Sequence, residues 1–488
     1  MRRLIMPLVL LCAQSVPALA QHVAIDGAVI SGHARFLADD LLRGRATGTE
    51  GARLAALYIE SQCRALGLLP VGGSYRHPVP LEEATILPAT SLAVSGARGA
   101  VDFLYLVDFL PNVGAKAALS GFAGPAVFVG AEQLVAGGGL GALDLTGRVA
   151  VTLGPFRGPA LDTLVGRGAI GMLHLVMEPE TYQLYVRSRG PSRLYHRDPD
   201  VPSSFLPSLP SVLVGPRVGR TLLDGLQFGD GRAPLPQALS WAVEVDIVAE
   251  ARSIDETNVA CLLPGVGAQA RDTAITLTAH YDHLGVSTPD AEGDSVYNGF
   301  SDDAVGAAML LAIATALQRG EAPALDHSLV LLFFTGEERG LLGSDAYVVA
   351  PAWPLERTAA VINLDAGAPP GRPVSWRLAG VDSTGLGAVA RGVADRFGWK
   401  VGTSPAQANS DYFPFHRHGV PAVFIIPGSE PYEGLDADGT AALRQRWDHY
   451  HQAGDEWSPD FPLEGVVRYA EFALLLALEV DARAGQVR

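Results

Sequence analysis

The chain has 488 residues, of which 48% are hydrophobic and 18% are charged, and its formal net charge is −16. So large an apolar share excludes an intrinsically disordered protein, because burial of apolar side chains offsets the entropy lost on folding. The acidic excess argues against nucleic acid as a partner, since binding to phosphates needs a basic surface. We expect two or three folded units, because a single core seldom extends over a chain this long.

The amino-terminal segment has the pattern of a secretory signal peptide. Two arginines precede an apolar stretch, and Ala18 and Ala20 supply the small residues of a cleavage site. The apolar stretch is far shorter than the roughly 20 residues that a membrane span requires. We therefore expect residues 1–20 to be removed, the protein to be exported to the periplasm or the extracellular space, and no stable membrane span to remain.

Two cysteines lie beyond this segment, Cys63 and Cys261. Neither belongs to a CxxC pair or to a cluster of cysteine and histidine, so a thiolate metal site is not predicted. In an oxidising compartment they could form one disulfide or remain two buried thiols, and the sequence leaves both alternatives open.

The hydrophobic pattern changes twice along the chain. Between residues 91 and 239, short β runs such as PAVFVG and GMLHLV alternate with glycine-rich turns. After residue 240, nearly continuous apolar strands alternate with helical segments, as in a doubly wound α/β fold. Residues 21–90 and 240–488 are therefore predicted to form one α/β unit, with a mostly parallel central sheet flanked by helices and a β-rich insertion at residues 91–239. The predicted sheet strands are residues 273–279, 328–335, 359–364 and 421–427, and the stretch 305–318 is predicted to be a helix.

Polar residues follow three of these strands at the point where each ends. His280 comes after the first strand, Glu337 and Glu338 after the second, and Asp365 after the third. The carboxyl ends of strands in an open α/β sheet form its ligand-binding edge, so these side chains should converge. Burying unpaired carboxylates there would be costly, and a metal ion removes that cost.

The side chains that could serve as ligands are imidazoles and carboxylates without a thiolate, which favours zinc over manganese or cobalt. Taken singly, each has a commoner explanation, such as a helix cap for Asp302 or a surface position for His449. Together they are too many for one tetrahedral site and suit two ions that share a carboxylate. Spacing alone leaves His449 and His451 as alternatives, because both face the same side of an extended segment. The candidate ligands are His280, Asp302, Glu338, Asp365 and one of these two histidines.

Several strings in this region resemble the successive motifs of the secreted di-zinc aminopeptidases, a family related to bacterial leucyl aminopeptidases, glutamate carboxypeptidase and transferrin receptor. They are TAHYDHLG, NGFSDDAVGAA, LLFFTGEERGLLGS, VINLDAG, NSDYFPFHRHGVPAV and YHQAGDE, and they extend over residues 273–460. The insertion at 91–239 occupies the place of the protease-associated domain of many members, and its segments GRVAVTLGP and LVGRGAIGMLHLV are similar to that domain. The resemblance thus implies a zinc exopeptidase fold with an inserted protease-associated domain.

The resemblance also implies a role for each candidate ligand. His280 and Asp365 would bind the first zinc ion, Glu338 and His451 the second, and Asp302 would bridge the two. The family pattern selects His451 over His449, because it places a tyrosine before the ligand and an acid four residues after it.

Other residues take supporting roles by the same resemblance. Glu337 would act as the general base, and Tyr450 would donate a hydrogen bond to the developing oxyanion, unless it is simply a packed aromatic. Asp282 would orient His280, and Asp455 could do the same for His451. Asp303 follows the bridging acid and is expected to lie just outside the ligand set.

These inferences predict an exported exopeptidase with two zinc ions per chain that removes amino-terminal residues from peptide substrates. A carboxypeptidase or dipeptidase with the same chemistry is the first alternative. A non-catalytic peptide-binding member of the fold and a one-zinc glutaminyl cyclase are further alternatives, which an intact set of five ligands and Glu337 disfavours. The sequence indicates no particular oligomeric state.

Overall fold

The computed structural model describes residues 23–112, 119, 121–154, 156, 158–204, 209–224, 226, 235–268, 272–381, 384–484 and 487, so the predicted signal peptide at 1–20 lies outside the described residues. The strands of the described part are, in chain order, β1 Leu69–Pro70, β2 Arg76–Ile86, β3 Ser91–Gly96, β4 Gly99–Phe103, β5 Phe109–Asn112, β6 Phe122–Ala131, β7 Val149–Leu153, β8 Gly171–Leu175, β9 Ser192–His196, β10 Ser211–Val214, β11 Gln237–Asp246, β12 Ala249–Leu263, β13 Ala274–His280, β14 Gly285–Val286, β15 Val296–Tyr297, β16 Ser328–Phe334, β17 Thr358–Asn363, β18 Ser375–Ala379, β19 Lys400–Ser404 and β20 Ala422–Pro427. The helices are α1 Gly27–Leu37, α2 Glu50–Ala65, α3 Glu132–Ala136, α4 Gly158–Gly166, α5 Pro179–Arg189, α6 Pro216–Leu222, α7 Val305–Gln318, α8 Leu342–Val349, α9 Leu386–Arg396, α10 Tyr412–Arg417, α11 Ala437–Trp447 and α12 Glu464–Ala482.

The larger sheet has ten strands in the order β19-β18-β20-β17-β13-β16-β12-β2-β9, with β1 paired to β12. Its centre is parallel, because β13 pairs in parallel with both β16 and β17, and β17 with β20. The flanking pairs β12–β16, β2–β12, β2–β9 and β18–β20 are antiparallel. The α/β prediction is confirmed: the four central strands run parallel to one another, as do β18 and β19, and the antiparallel pairs lie on either side of the centre.

Helices cover both faces of this sheet, which is why its central strands are apolar along their whole length. From β13, Ile275 and Leu277 pack into a core with α1, α2, α7 and α12. Ala274 points the other way, into a core with α8 and α10. Helix α7 occupies the predicted stretch 305–318. By length and composition Phe300–Gln318 could cross a membrane, but 94% of its apolar window is buried inside the fold, as in a core helix.

The second sheet is built from the middle of the chain, in the order β4-β3-β11-β6-β7-β8-β10-β5. It has its own apolar cores, one with α6 and another with α3 and α4. Strand β9 comes from the same stretch of chain but pairs with β2 of the larger sheet, which the sequence did not indicate. The chain enters the second sheet from β2 and returns through β12, and these two strands pair along Arg76–Ile86.

A polar contact also joins the two parts of the chain. The backbone N–H of Ser204 donates to Oδ2 of Asp345 in α8 at 2.7 Å, and the Ser204 hydroxyl donates to Oδ1. Arg417 in turn donates to that hydroxyl oxygen at 3.2 Å. Burial raises the pKa of Asp345 to about 7, although the hydrogen bonds from Ser204 and the charge of Arg417 lower it in part.

The two cysteines form a disulfide. Cys63 of α2 is joined to Cys261 of β12 with a Cα–Cα distance of 6.2 Å, and both are fully buried. The bond attaches an amino-terminal helix to the larger sheet across a separation of 198 residues, so it restricts the unfolded chain strongly.

Replacing both cysteines, as Cys63→Ala with Cys261→Ala, should lower the free energy of unfolding by about 2–5 kcal/mol, because a long loop is released in the unfolded chain. Denaturant unfolding of the two proteins measures this difference. Titration of the unfolded, unreduced wild type should find neither thiol reactive. Two reactive thiols from these positions would contradict the disulfide.

The buried Asp345 should make stability depend on pH. Its folded pKa of about 7 lies above the unfolded value, so the folded state retains its proton longer and stability falls as pH rises from about 4 to about 7, by up to about 4 kcal/mol. Denaturant unfolding across this range should show that Asp345→Asn loses this part of the slope. Asp438→Asn, at an exposed position of α11, is the matched control. A stability difference between wild type and Asp345→Asn that stays constant with pH would refute the assignment.

Candidate metal centre

Three parallel strands bring their polar ends to one edge of the larger sheet. His280 is the last residue of β13 and lies opposite Phe334, the last residue of β16, so the Glu337 and Glu338 turn follows directly beside it. Asp365 comes two residues after the end of β17 on the other side of β13. The convergence expected from parallel strand ends is therefore present.

The first group of possible ligands surrounds Nε2 of His280. This nitrogen lies 3.1 Å from Oδ1 of Asp302 and 3.1 Å from Oδ1 of Asp365. His280 and Asp302 are buried, and the three side chains could hold one metal ion.

The second group shares Asp302. Nε2 of His451 lies 3.0 Å from Oδ2 of Asp302 and 3.3 Å from Oε2 of Glu338. Nδ1 of His283 lies 2.7 Å from Oε1 of Glu338 and 4.0 Å from Oδ2 of Asp302. Asp302 thus offers one oxygen to each group. His449, the alternative that spacing left open, turns its Nε2 to the carbonyl oxygen of Arg446 at 3.1 Å.

The charge of the centre fits bound cations. Burial raises the pKa of Asp303 and of Glu337 well above the usual range, and it raises that of Asp411 to about 8. For Glu337 the nearby carboxylates Asp365 and Glu338 add to the effect, while His280 opposes it. So many carboxylates would be costly to bury together without positive charge. Divalent ions would supply that charge, and a set of imidazole and carboxylate donors without a thiolate fits zinc.

Asp303 fixes the loop that carries the bridging acid. Its Oδ2 accepts from the backbone N–H of His280 at 3.2 Å, and its Oδ1 accepts from Gly306 in the first turn of α7 at 3.0 Å. A Cβ atom at position 306 would lie 2.2 Å from that oxygen, which explains the glycine. The peptide bond between Asp302 and Asp303 is cis. Asp303 therefore ties the end of β13 to the start of α7, beside the ligands.

Asp282 supports the centre differently from the sequence-based expectation. Nδ1 of His280 faces the backbone carbonyl oxygen of Asp282 at 3.0 Å, whereas the nearer carboxylate oxygen is 3.7 Å away. The carboxylate instead accepts from the backbone N–H of Glu337 at 3.2 Å and from the hydroxyl of Thr47 at 2.8 Å. Its backbone thus orients His280, and its side chain positions Glu337.

Asp455 holds a loop. Its carboxylate accepts from the backbone N–H groups of Ser301 at 2.9 Å and Asp302 at 3.3 Å, so the expected contact with the His451 ring is replaced by contacts with the bridging segment. Tyr450 stacks on His451 with ring centroids 3.9 Å apart and is 63% exposed. Its role as a hydrogen-bond donor to the substrate stays a prediction.

Three further hydrogen bonds were not foreseen from the sequence. The Ser410 hydroxyl donates to Oδ2 of Asp365, and the Asn363 side chain donates to Ser410 at 2.6 Å. Asp411 accepts from the hydroxyl of Ser344. The only available signal was the SDYF string, whose polar residues carry no metal-like spacing of their own.

Arg45 is a fully buried cation beneath the centre. Its guanidinium group donates to the carbonyl oxygens of Tyr281 at 2.8 Å, Asn298 at 2.5 Å and Gly299 at 3.0 Å, and also to that of Leu37. Burial lowers its pKa to about 10, while the carboxylates of the centre oppose this shift, so the group stays charged near neutral pH. Arg45 thereby holds the segments on either side of the ligands.

A cavity of about 660 Å³ opens beside the centre, between the ends of β17 and β20 and the starts of β18 and β19. Ser301 and Ala366, the neighbours of two candidate ligands, form part of its wall. Its lining cations include Lys400, paired with Glu430 at 3.0 Å, and Arg444, which donates to the carbonyl oxygen of Gly428 at 2.8 Å.

Comparison with known proteins agrees with this architecture. Residues 258–475 match the family described as Peptidase family M28. No curated protein matches the sequence. Among solved structures, the chain is similar to an aminopeptidase from Aneurinibacillus sp. strain AM-1, with 17% identity, 95% of this chain and 94% of that chain covered, and a TM-score of 0.55. At that identity the likeness shows a shared fold.

Two other solved structures are similar to the chain at lower TM-scores. One is BSAP, a zinc aminopeptidase from Bacillus subtilis, with 18% identity, 96% of each chain covered and a TM-score of 0.47. The other is a peptidase M28 precursor from Shewanella amazonensis SB2B, with 17% identity, 92% of this chain and 96% of that chain covered, and a TM-score of 0.46.

Removing the buried cation should weaken the protein and its centre. Arg45→Met should lower the free energy of unfolding by about 3–5 kcal/mol, as is typical when one partner of a buried charge network is lost. Arg45→Lys keeps the positive charge but loses the several hydrogen-bond donors of the guanidinium group. Its free energy of unfolding should therefore lie between those of wild type and Arg45→Met. Denaturant unfolding measures both, with the exposed Arg43→Lys as control. An Arg45→Met protein as stable as wild type would contradict this account.

Proposed function

Because residues 258–475 make this chain a member of peptidase family M28 and a metal-dependent peptidase, we propose that it acts as an exported aminopeptidase. It would hold two zinc ions and remove residues from the free amino terminus of peptides. The position of Asp302 supports two ions, because its carboxylate lies between two groups of possible ligands. One group is His280 with Asp365, and the other is Glu338 with His451.

Glu337 is the proposed proton carrier. It adjoins both groups but belongs to neither, and its backbone is fixed by the carboxylate of Asp282. When bound, the two ions would polarise the scissile carbonyl and acidify the attacking water. Glu337 would accept the proton of that water and deliver it to the leaving amine.

The cavity favours the amino end of a peptide over the carboxyl end. A carboxypeptidase needs a cation that is free to grip a carboxylate. Lys400 is paired with Glu430, and Arg444 donates hydrogen bonds to Gly428 and Tyr432. A carboxypeptidase would therefore depend on Arg377, the remaining cation in the cavity wall. The carboxylates of the centre favour a cationic amino terminus instead. The insertion predicted at residues 91–239, whose sheet continues to Asp246 at the end of β11, is proposed to be the protease-associated domain that the sequence resembles.

Export and the peptide substrate belong to the same proposal. The signal-like pattern of residues 1–20 supports removal of that segment and residence in the periplasm or outside the cell. The net charge of −16 supports peptide substrates over nucleic acid.

Purified protein should cleave aminoacyl-p-nitroanilides, and a chelator should abolish the cleavage. Glu337→Gln should lower kcat at least about 100-fold while keeping its metal, because it removes the proton carrier and no ligand. Glu292→Gln, the same change at an exposed site, is the matched control and should retain full activity. Steady-state kinetics with metal analysis of each variant tests the proposal and ranks the preferred first residue.

An amino-blocked dipeptide with a free carboxylate tests the alternative. Cleavage of this substrate alone, abolished by Arg377→Gln, would replace the aminopeptidase with a carboxypeptidase or dipeptidase. Binding of two zinc ions without cleavage of either substrate would indicate a non-catalytic member of the fold.

A further inference from the structure

We infer that Thr278 and Asn363 are positioning residues of the metal centre, which hold Asp365 with its Oδ1 turned to the first ion. Neither residue touches a possible metal position itself, and both act through the hydroxyl of Ser410. The inference rests on the proposed function, because it concerns a ligand of the same pair of ions.

Four side chains form one hydrogen-bonded chain that leads from the larger sheet to the metal centre. The Thr278 hydroxyl donates to Oδ1 of Asn363 at 2.6 Å. Nδ2 of Asn363 donates to the hydroxyl oxygen of Ser410 at 2.6 Å, and the Ser410 hydroxyl donates to Oδ2 of Asp365. Thr278, Asn363 and Ser410 are fully buried, so bulk water does not compete for these groups.

The register of two parallel strands builds the first step of this chain. Thr278 of β13 and Asn363 of β17 are paired positions, so their side chains lie next to each other on one face of the sheet. Asn363 is the last residue of β17 and stands two residues before Asp365. Ser410 comes from a third segment, just before α10. The chain of hydrogen bonds thus joins a ligand to the fixed centre of the sheet.

The chain has a direction, because each hydroxyl group carries one proton. The Ser410 oxygen accepts from the amide of Asn363, and its own proton is therefore free for Asp365. If the amide were turned around, its oxygen would face Ser410 and compete with Asp365 for that proton. The turned amide would also deprive the Thr278 proton of its acceptor, which is costly in a buried place. Thr278 therefore selects the orientation that supports Asp365.

The two oxygens of Asp365 have different partners. Oδ1 lies 3.1 Å from Nε2 of His280, within the first group of possible ligands. Oδ2 accepts from Ser410, which fixes the orientation of the carboxylate, as hydrogen-bond partners of metal ligands do. The first ion would then have His280, Asp302 and one oxygen of Asp365 as ligands. Three protein ligands leave a position open for water, as in catalytic zinc sites.

Zinc titration of the metal-free protein, in competition with a chelator, tests the chain without relying on activity. Ser410→Ala should weaken the affinity for one of the two ions by about 10- to 100-fold, as is usual when the hydrogen-bond partner of a ligand is lost. Thr278→Val should weaken the same affinity by at least about 3-fold, because it removes the donor that orients the amide. Thr278→Ser keeps the hydroxyl and should bind both ions as wild type does.

A double variant separates positioning from packing. If Thr278 acts through Ser410, Thr278→Val should cause no further loss of zinc affinity in a Ser410→Ala protein. Thr276→Val, the same change at a buried position two residues earlier on β13, is the matched control and should leave both affinities unchanged. Thr278→Ala provides a second variant without the hydroxyl in case Thr278→Val fails to fold.

Three results would overturn the inference. The first is a Thr278→Val protein with unchanged affinity for both ions. The second is an equal loss in Thr278→Val and Thr278→Ser, which would indicate packing instead of hydrogen bonding. The third is a double variant whose loss is the sum of the two single losses.

The failure of this inference is separable from failure of the proposed function. A wild type that binds two zinc ions and cleaves aminoacyl substrates, with unchanged affinities in Thr278→Val, removes only the positioning role. A wild type that binds two zinc ions without cleaving these substrates, with a weakened affinity in Thr278→Val, supports the positioning role and overturns the aminopeptidase. A wild type that binds fewer than two ions removes the basis of both.

Discussion

The metal centre is built around one buried positive charge. Carboxylates from several segments of the chain meet at the edge of the larger sheet, and Arg45 lies beneath them with its donors turned to carbonyl oxygens rather than to the carboxylates. Its charge acts through space on Asp282, Asp455, Asp302 and Asp303. Its hydrogen bonds fix the peptide units next to two of the ligands. The same group thus limits both the electrostatic cost and the mobility of the site.

This arrangement makes the amino-terminal segment part of the centre. Arg45 and Thr47 lie far outside residues 258–475, the part that matches the peptidase family. Even so, Thr47 donates to the acid that positions Glu337, and the carbonyl of Arg45 accepts from His283. The segment between α1 and α2 therefore forms the floor of the site, while the family-matched part supplies the ligands. Neither part alone contains the whole set of contacts.

The sequence predicted what depends on local pattern. Helix α7 and the four central strands could be read from continuous apolar runs, and the polar residues after three strands indicated a common edge. Contacts set by distant parts of the chain could not be read in this way. The pairing of β9 with β2 and the antiparallel flanks depend on long-range register.

The missed residues of the site have the same explanation. His283 stands three residues after His280, a spacing that on a continuing strand would direct the two rings to opposite faces. The chain leaves the strand at His280, and the His283 ring can then reach the carboxylate of Glu338 at 2.7 Å. The bonds of Asp455 and Asp282 depend on which backbone groups lie beside them, and no pattern in the sequence records that. Only the fold decides whether the carboxylate or the carbonyl oxygen of Asp282 meets His280.

The disulfide has a consequence for what a single proteolytic cut would do to the protein. The loop closed by Cys63 and Cys261 contains the entire second sheet and every turn between its strands. A single cut between any two of those strands would leave α1 and α2 covalently attached to the larger sheet. Arg45 and Thr47 would stay in place with them. Nicking of the inserted part would therefore yield a two-chain molecule whose metal centre still has its floor.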